Sequence, residues 1–329
     1  MARKIPRNRV FADASKARIE ITNKQAKQIA KLYEDLSLEI EEEIAALSNR
    51  TNVSSILRTQ YLYNLKDQVQ QELRNINGKT EGIIRSNMGE VAAAVVADNE
   101  RFLASVGLNL AGAYSHIPTD IVKEVASGQL YKDRWTLSNA IWGNTQKTLS
   151  DVNSVVAKGI AGQKSTYEIA KDLEKYINPA LRKDWEWSKV YPGTAKVVDY
   201  NAQRLARTMI SHAYQDSILR TTRDNPFVEC YEWMTAGGDR VCEICQERES
   251  GFHGVVINGK SMYGCYYADD LPLDHPNGMC TIDVYIDNDY DAIADRLADW
   301  VNGEQDPEMD KFAQSLGYSS STLRSKVSK

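Results

Sequence analysis

All five cysteines of this 329-residue chain fall after residue 228, at Cys230, Cys242, Cys245, Cys265 and Cys280. That clustering constrains the fold more than any other feature, because it divides the sequence into two parts of different texture. The charges divide at the same place. Residues 1–227 carry 32 Lys and Arg against 26 Asp and Glu, net +6, and residues 228–329 carry 8 against 19, net −11. The overall charge of −5 therefore does not exclude contact between the first part and a polyanion. The chain is long enough to bury a core without disulfides. It holds no run of about 18 apolar residues that would read as a membrane span. The basic start MARKIPRNRV is not followed by the apolar stretch of a signal peptide.

The first part has the period of helices. Asn23 is a candidate N-cap for a helix over about Lys24 to Leu47, with Ile29, Leu32, Leu36, Ile40, Ile44 and Leu47 at steps of three to four. After a polar break from Asn49 to Ser54, Leu57, Tyr61, Leu65, Val69, Leu73 and Ile76 form a second stripe, which Asn77-Gly78 is expected to end. A third helix is expected from Glu81 to Leu103, and shorter ones follow, with Gly159 to Gly162 read as a turn and Asp184 to Lys196 as a loop. Ser165-Thr166-Tyr167-Glu168 is a capping box, and a last long helix runs from about Tyr200 to Arg223.

The texture changes after Asn225-Pro226. Val228 to Met234, Val255 to Ile257 and Cys280 to Ile286 read as strands among Gly- and Asp-rich turns, and Tyr290 to Val301 as a helix. The fold class expected is α+β: an elongated, mostly helical N-terminal module and a small, zinc-stapled C-terminal lobe containing β-structure. The expected segments are a basic arm (1–22), long amphipathic helices (23–110), a helical module (111–225), a β/zinc-binding lobe with a terminal helix (226–303) and a flexible tail (304–329).

The chemistry-bearing pattern lies in the second part. Cys242-x-x-Cys245 can grip one metal ion from a tight turn, and His275 with Cys280 can complete a tetrahedron from a distant loop. Cys265 and His253 are possible substitutes for one ligand. With four protein ligands the ion is structural rather than catalytic, and zinc is the metal such donors suit. Enzyme signatures are missing: there is no HExxH, no GxSxG, no P-loop, and no deaminase H-x-E paired with P-C-x-x-C. His116 and His212 read as packing or surface residues. Arg3, Lys4, Arg7, Arg9, Lys16 and Arg18 form a basic arm suited to phosphate or to an acidic partner.

Taken together, Trp233-Met234-Thr235-Ala236-Gly237-Gly238-Asp239-Arg240-Val241-Cys242-Glu243-Ile244-Cys245 and His275-Pro276-Asn277-Gly278-Met279-Cys280 resemble the signature of the tailed-bacteriophage head morphogenesis family. These are minor capsid proteins related to the F protein of phage Mu. The segments Ala157 to Ser165 and Ala202 to Arg220 are similar to the family too, so the likeness covers about residues 150–287. Many members have a further Cys where this chain has Gly278, which favours Cys280 as the fourth ligand; Met209 stands where members usually carry Glu. The resemblance implies a non-enzymatic virion protein, present inside the head at the portal vertex and in the host cytoplasm during assembly. It implies association with the portal protein, with major capsid or scaffold protein as further partners, and a role in assembly, DNA packaging or ejection. The basic N-terminal module could contact phage DNA, and no membrane is involved. The alternatives are a zinc-dependent enzyme of hydrolase or nuclease type and a zinc-ribbon DNA-binding protein.

Overall fold

The computed structural model describes residues 9–48, 55–131, 133–162, 164–178, 199–237, 241–286 and 290–327. The polar break after Asn49, the expected loop from Asp184 to Lys196, the arm residues Arg3, Lys4 and Arg7, and Gly238-Asp239-Arg240 lie outside them. The fold is α+β. Its helices are α1 (Ala12–Ser48), α2 (Ser55–Ser105), α3 (Ile117–Ser127), α4 (Leu137–Ala161), α5 (Thr166–Ile177) and α6 (Tyr200–Thr222). The C-terminal part follows as β1 (Cys230–Met234), α7 (Glu243–Ser250), β2 (Phe252–Ile257), β3 (Lys260–Tyr263), β4 (Cys265–Tyr266), β5 (Thr281–Tyr285), α8 (Tyr290–Val301), α9 (Pro307–Ser315) and α10 (Ser320–Arg324). No described helix is long and apolar enough to cross a membrane.

Two helices run further than the apolar pattern suggests. α1 starts at Ala12, so Asn23 is interior rather than a cap, and much of the expected arm is helix. α2 passes unbroken through Asn77-Gly78. Buried positions explain both. In α2 they recur from Leu62 through Leu65, Val69, Leu73, Ile76, Thr80, Ile84, Asn87, Val91, Val95 and Asp98 to Phe102, in repeating steps of three, four and four. In the N-terminal helix the same rhythm takes in Phe11, Ala14, Arg18, Thr22, Gln25, Ile29, Tyr33, Leu36 and Ile40. An 11-residue repeat drifts only about 20° around the helix per repeat, so one face stays buried along its length. Burial on both sides of Asn77-Gly78 keeps that pair helical against its local preference for a cap.

The described residues form two compact units that interleave along the chain and do not follow the expected segment boundaries. One gathers Met1–Ile21, Asn87–Val125 and Thr208–Lys329; the other gathers Thr22–Ser86 and Ala126–Arg207. In the second unit the capping box at the start of α5 forms as expected. Glu168 N donates to Ser165 Oγ at 3.2 Å, and Ser165 N donates to Glu168 Oε2 at 2.7 Å. Gly159, expected in a turn, is a buried helical residue of α4. A Cβ there would lie 2.7 Å from Ile169 Cγ1, so glycine permits the close approach of α4 and α5.

The first unit holds the sheet. Its three strands run antiparallel in the order β4-β1-β5, with Trp233 opposite Ile282 and Glu232 opposite Asp283, and β2–β3 form a separate hairpin. The first turn of α1 docks on two carboxylates: Phe11 N donates to Asp283 at 3.3 Å, and Ala14 N to Asp98 at 2.8 Å. These satisfy free N–H groups at a helix start, where negative charge is favoured. The expected flexible tail is instead packed. Met309, Phe312 and Leu323 are buried, Arg324 stacks over Trp300 at 4.8 Å, and Leu108 pairs with Val327.

Candidate metal centre

Cys242 stands at the N-cap of α7 and Cys245 in its first turn, one exposed and the other buried. β1 and α7 are tied together by Glu249, which accepts from Thr235 N at 3.1 Å and from Thr235 Oγ1 at 2.8 Å. Arg248 lies over the Trp233 ring at 4.7 Å and donates to the Leu273 carbonyl. The sheet, α7 and the segment entering the second loop are therefore one construction.

That second loop, residues 274–280, leads into β5. Its turn follows from its residues. Pro276 and Asn277 are the central pair, Asn277 has φ +69°, and Gly278 N donates to the His275 carbonyl at 2.8 Å. Proline followed by a residue tolerant of positive φ is the requirement of a type II turn. One face of α6 holds the loop. Asn277 N donates to Thr208 Oγ1 at 2.9 Å, and Ser211 Oγ donates to the Gly278 carbonyl at 3.2 Å. His212 Nε2 donates to the Asp274 carbonyl at 2.9 Å, and Asp274 N donates to Gln215 Oε1 at 2.9 Å. Arg18, buried on α1, adds Nη1 to Ser211 Oγ and Nη2 to the Met279 carbonyl.

The result is a cluster of metal-ligating atoms. Cys242, Cys245 and His275 have their donor atoms within 4.8 Å of one another, and so do Cys245, Asp274 and Cys280. The two triads share Cys245. The four side chains singled out by the sequence thus lie close together and could bind a metal ion. Cys242 Sγ is 3.3 Å from His275 Nε2, and His275 Nδ1 donates to the Pro276 carbonyl at 3.1 Å. The second bond fixes the tautomer and leaves Nε2 as the nitrogen presented to the cluster.

The local electrostatics favour a thiolate at the outer cysteine. The Cys245 backbone amide at the start of α7 and the His275 ring lower the Cys242 pKa. Burial pushes Cys245 and Cys280 up instead. The Ala236 amide and the Trp233 indole lie against Cys280 and favour its thiolate, but burial outweighs them. At His275 burial disfavours the cation, yet the Pro276 carbonyl, Asp274 and Cys242 prevail and raise its pKa. A cation among these donors would supply the charge that buried thiolates require.

Cys265 and His253, the possible substitutes, are placed elsewhere and belong to neither triad. Cys265 packs with Cys230, Val255 and Ile257 in an apolar cluster. His253 stacks on Tyr266 at 4.2 Å, with Nε2 2.9 Å from the Tyr266 hydroxyl. None of the five cysteines forms a disulfide. His212 is buried, and burial lowers its pKa, as befits a neutral ring donating to a carbonyl. Sequence reasoning missed Asp274 and the polar face Thr208, Ser211, Gln215. The signal for the latter was the helical spacing of those residues, three to four apart along α6.

In comparisons with known proteins, no family model, no curated protein and no solved structure matches this chain.

Proposed function

We propose that this chain is a minor head protein of a tailed bacteriophage. In this reading it acts in assembly rather than catalysis, associates with the portal inside the head, and carries one structural zinc ion. The observation that carries the reading is the cluster itself. A C-x-x-C at a helix start and an H-x4-C turn meet in a donor set supplied by the protein alone, in the segments that resemble the head morphogenesis signature. The residues fit zinc: thiolates and imidazole are its preferred ligands, and a tetrahedral ion with Zn–S about 2.3 Å needs neighbouring sulfurs about 3.8 Å apart. Bound there, zinc would supply cross-linking rather than Lewis acidity, because Cys242, Cys245, Cys280 and His275 fill four positions. Portal, capsid or scaffold protein would be the partners, and the net-positive N-terminal part of the chain would meet packaged DNA.

The test has two parts. Elemental analysis of the purified chain should give about one zinc per molecule, and the paired change Cys242→Ser/Cys245→Ser should abolish it and lower the melting temperature. Structural zinc contributes about 10–16 kcal/mol of apparent binding energy in small peptides, so an unchanged melt contradicts a structural ion. Co-purification with a portal protein tests the assembly role. A metal carrying bound water, with turnover of phosphodiester or cell-wall substrates, would turn the reading to the enzymatic alternative.

A further inference from the structure

We propose that Asp274 is a ligand of the metal centre, binding the ion from the inner side of the cluster while His275 binds from the outer side. This inference rests on the zinc reading above and adds a hard oxygen donor to its three sulfurs and one nitrogen, so that the ion would be five-coordinate rather than tetrahedral.

Asp274 is almost wholly buried, at 3% exposure, and its Oδ2 has no hydrogen-bond partner. Buried carboxylate oxygens are nearly always partnered. Nearby, His275 N takes Oδ1 at 2.9 Å, and the two Nη atoms of Arg18 are directed to Ser211 and the Met279 carbonyl. One Asp274 carboxylate oxygen lies within 4.8 Å of the Cys245 and Cys280 sulfurs.

The surrounding chain fixes that position. The Asp274 backbone is held at both ends by α6, through Gln215 and His212. The space for the carboxylate exists because residue 278 is glycine: a Cβ there would lie 2.1 Å from Oδ2. Consecutive residues Asp274 and His275 each join a different triad, and Cys245 belongs to both. One ion drawn towards Cys245 can therefore reach donors from either side, with oxygen and nitrogen ligands each at about 2.0–2.2 Å.

The test uses the full-length chain. X-ray absorption of the zinc-loaded wild type should show two short oxygen or nitrogen scatterers beside the sulfurs; a single one overturns the proposal. Cobalt-substituted Asp274→Asn should give a changed d–d absorption envelope and at least tenfold weaker metal binding in chelator competition. A residue acting only behind the ligands can also weaken binding 10–100-fold, so the absorption data decide. A wild-type cobalt spectrum in Asp274→Asn overturns Asp274 ligation and leaves the zinc site standing. A wild-type chain that binds neither metal overturns the zinc reading itself. Should Asp274→Asn fail to fold, the scatterer count on the wild type remains decisive.

Discussion

Replacing Asp283 by Asn should make the protein more stable in mildly alkaline solution, although Asp283 makes native hydrogen bonds. The carboxylate sits on β5 at 3% exposure, accepting from Phe11 N and, at 2.8 Å, from Val284 N. Glu232 lies directly opposite on β1, and Arg9 is the cation in its surroundings. Burial raises its pKa to about 7, against the lowering effects of those two amides and Arg9. The unfolded value is near 4. With the folded pKa above the unfolded one, the stabilising contribution is complete below pH 4 and is lost as pH rises through 7. The full loss is about 4 kcal/mol, and about 2–3 kcal/mol of it falls between pH 5 and pH 8. Asn stays neutral throughout and keeps one acceptor for Phe11 N. Urea unfolding of both proteins at pH 5 and pH 8, at fixed metal loading, measures the difference. The variant should gain about 2–3 kcal/mol on the wild type over that interval. A gap that stays constant, or that moves the other way, refutes the argument that burial outweighs the helix start in setting this carboxylate's charge.

Two glycines test the helices. Gly78→Ala in the middle of α2, where a Cβ would meet nothing within 4 Å, should raise stability by about 0.5–1 kcal/mol in thermal or urea unfolding; a loss would mean that Asn77-Gly78 ends a helix after all. Gly159→Ala should do the reverse, costing about 1–3 kcal/mol despite its better propensity, because the new methyl meets Ile169. Ser165→Ala removes the side-chain half of the α5 capping box and should cost about 0.5–2 kcal/mol, measured as faster amide exchange in the first turn of α5.

What the sequence disclosed and what it hid divide along a physical line. The capping box of α5, the strand leading from Cys280 and the helix α8 are local patterns, and all stand where the residues place them; the C-x-x-C, expected in a tight turn, instead opens the helix α7. The continuity of α1 and α2 and the packing of the tail depend on burial by residues far away in sequence. The apolar period fails in α1 at Arg18, Thr22 and Gln25, and in α2 at Thr80, Asn87 and Asp98, all of them buried. A reader counting only apolar residues therefore breaks each helix too soon.

The failures of that pattern are nevertheless informative. Arg18 interrupts the stripe of α1 and binds the loop 274–280 at Met279. Asp98 interrupts that of α2 and caps α1. Thr208, Ser211, His212 and Gln215 interrupt α6 and hold residues 274–278. Each buries polar atoms at a cost that only a specific partner offsets. Core positions given over to such groups trace a path from the first helix to the cysteines. The departures from the hydrophobic pattern thus locate the candidate site as surely as the cysteine spacing does, because a ligand loop can be aimed only by directional bonds.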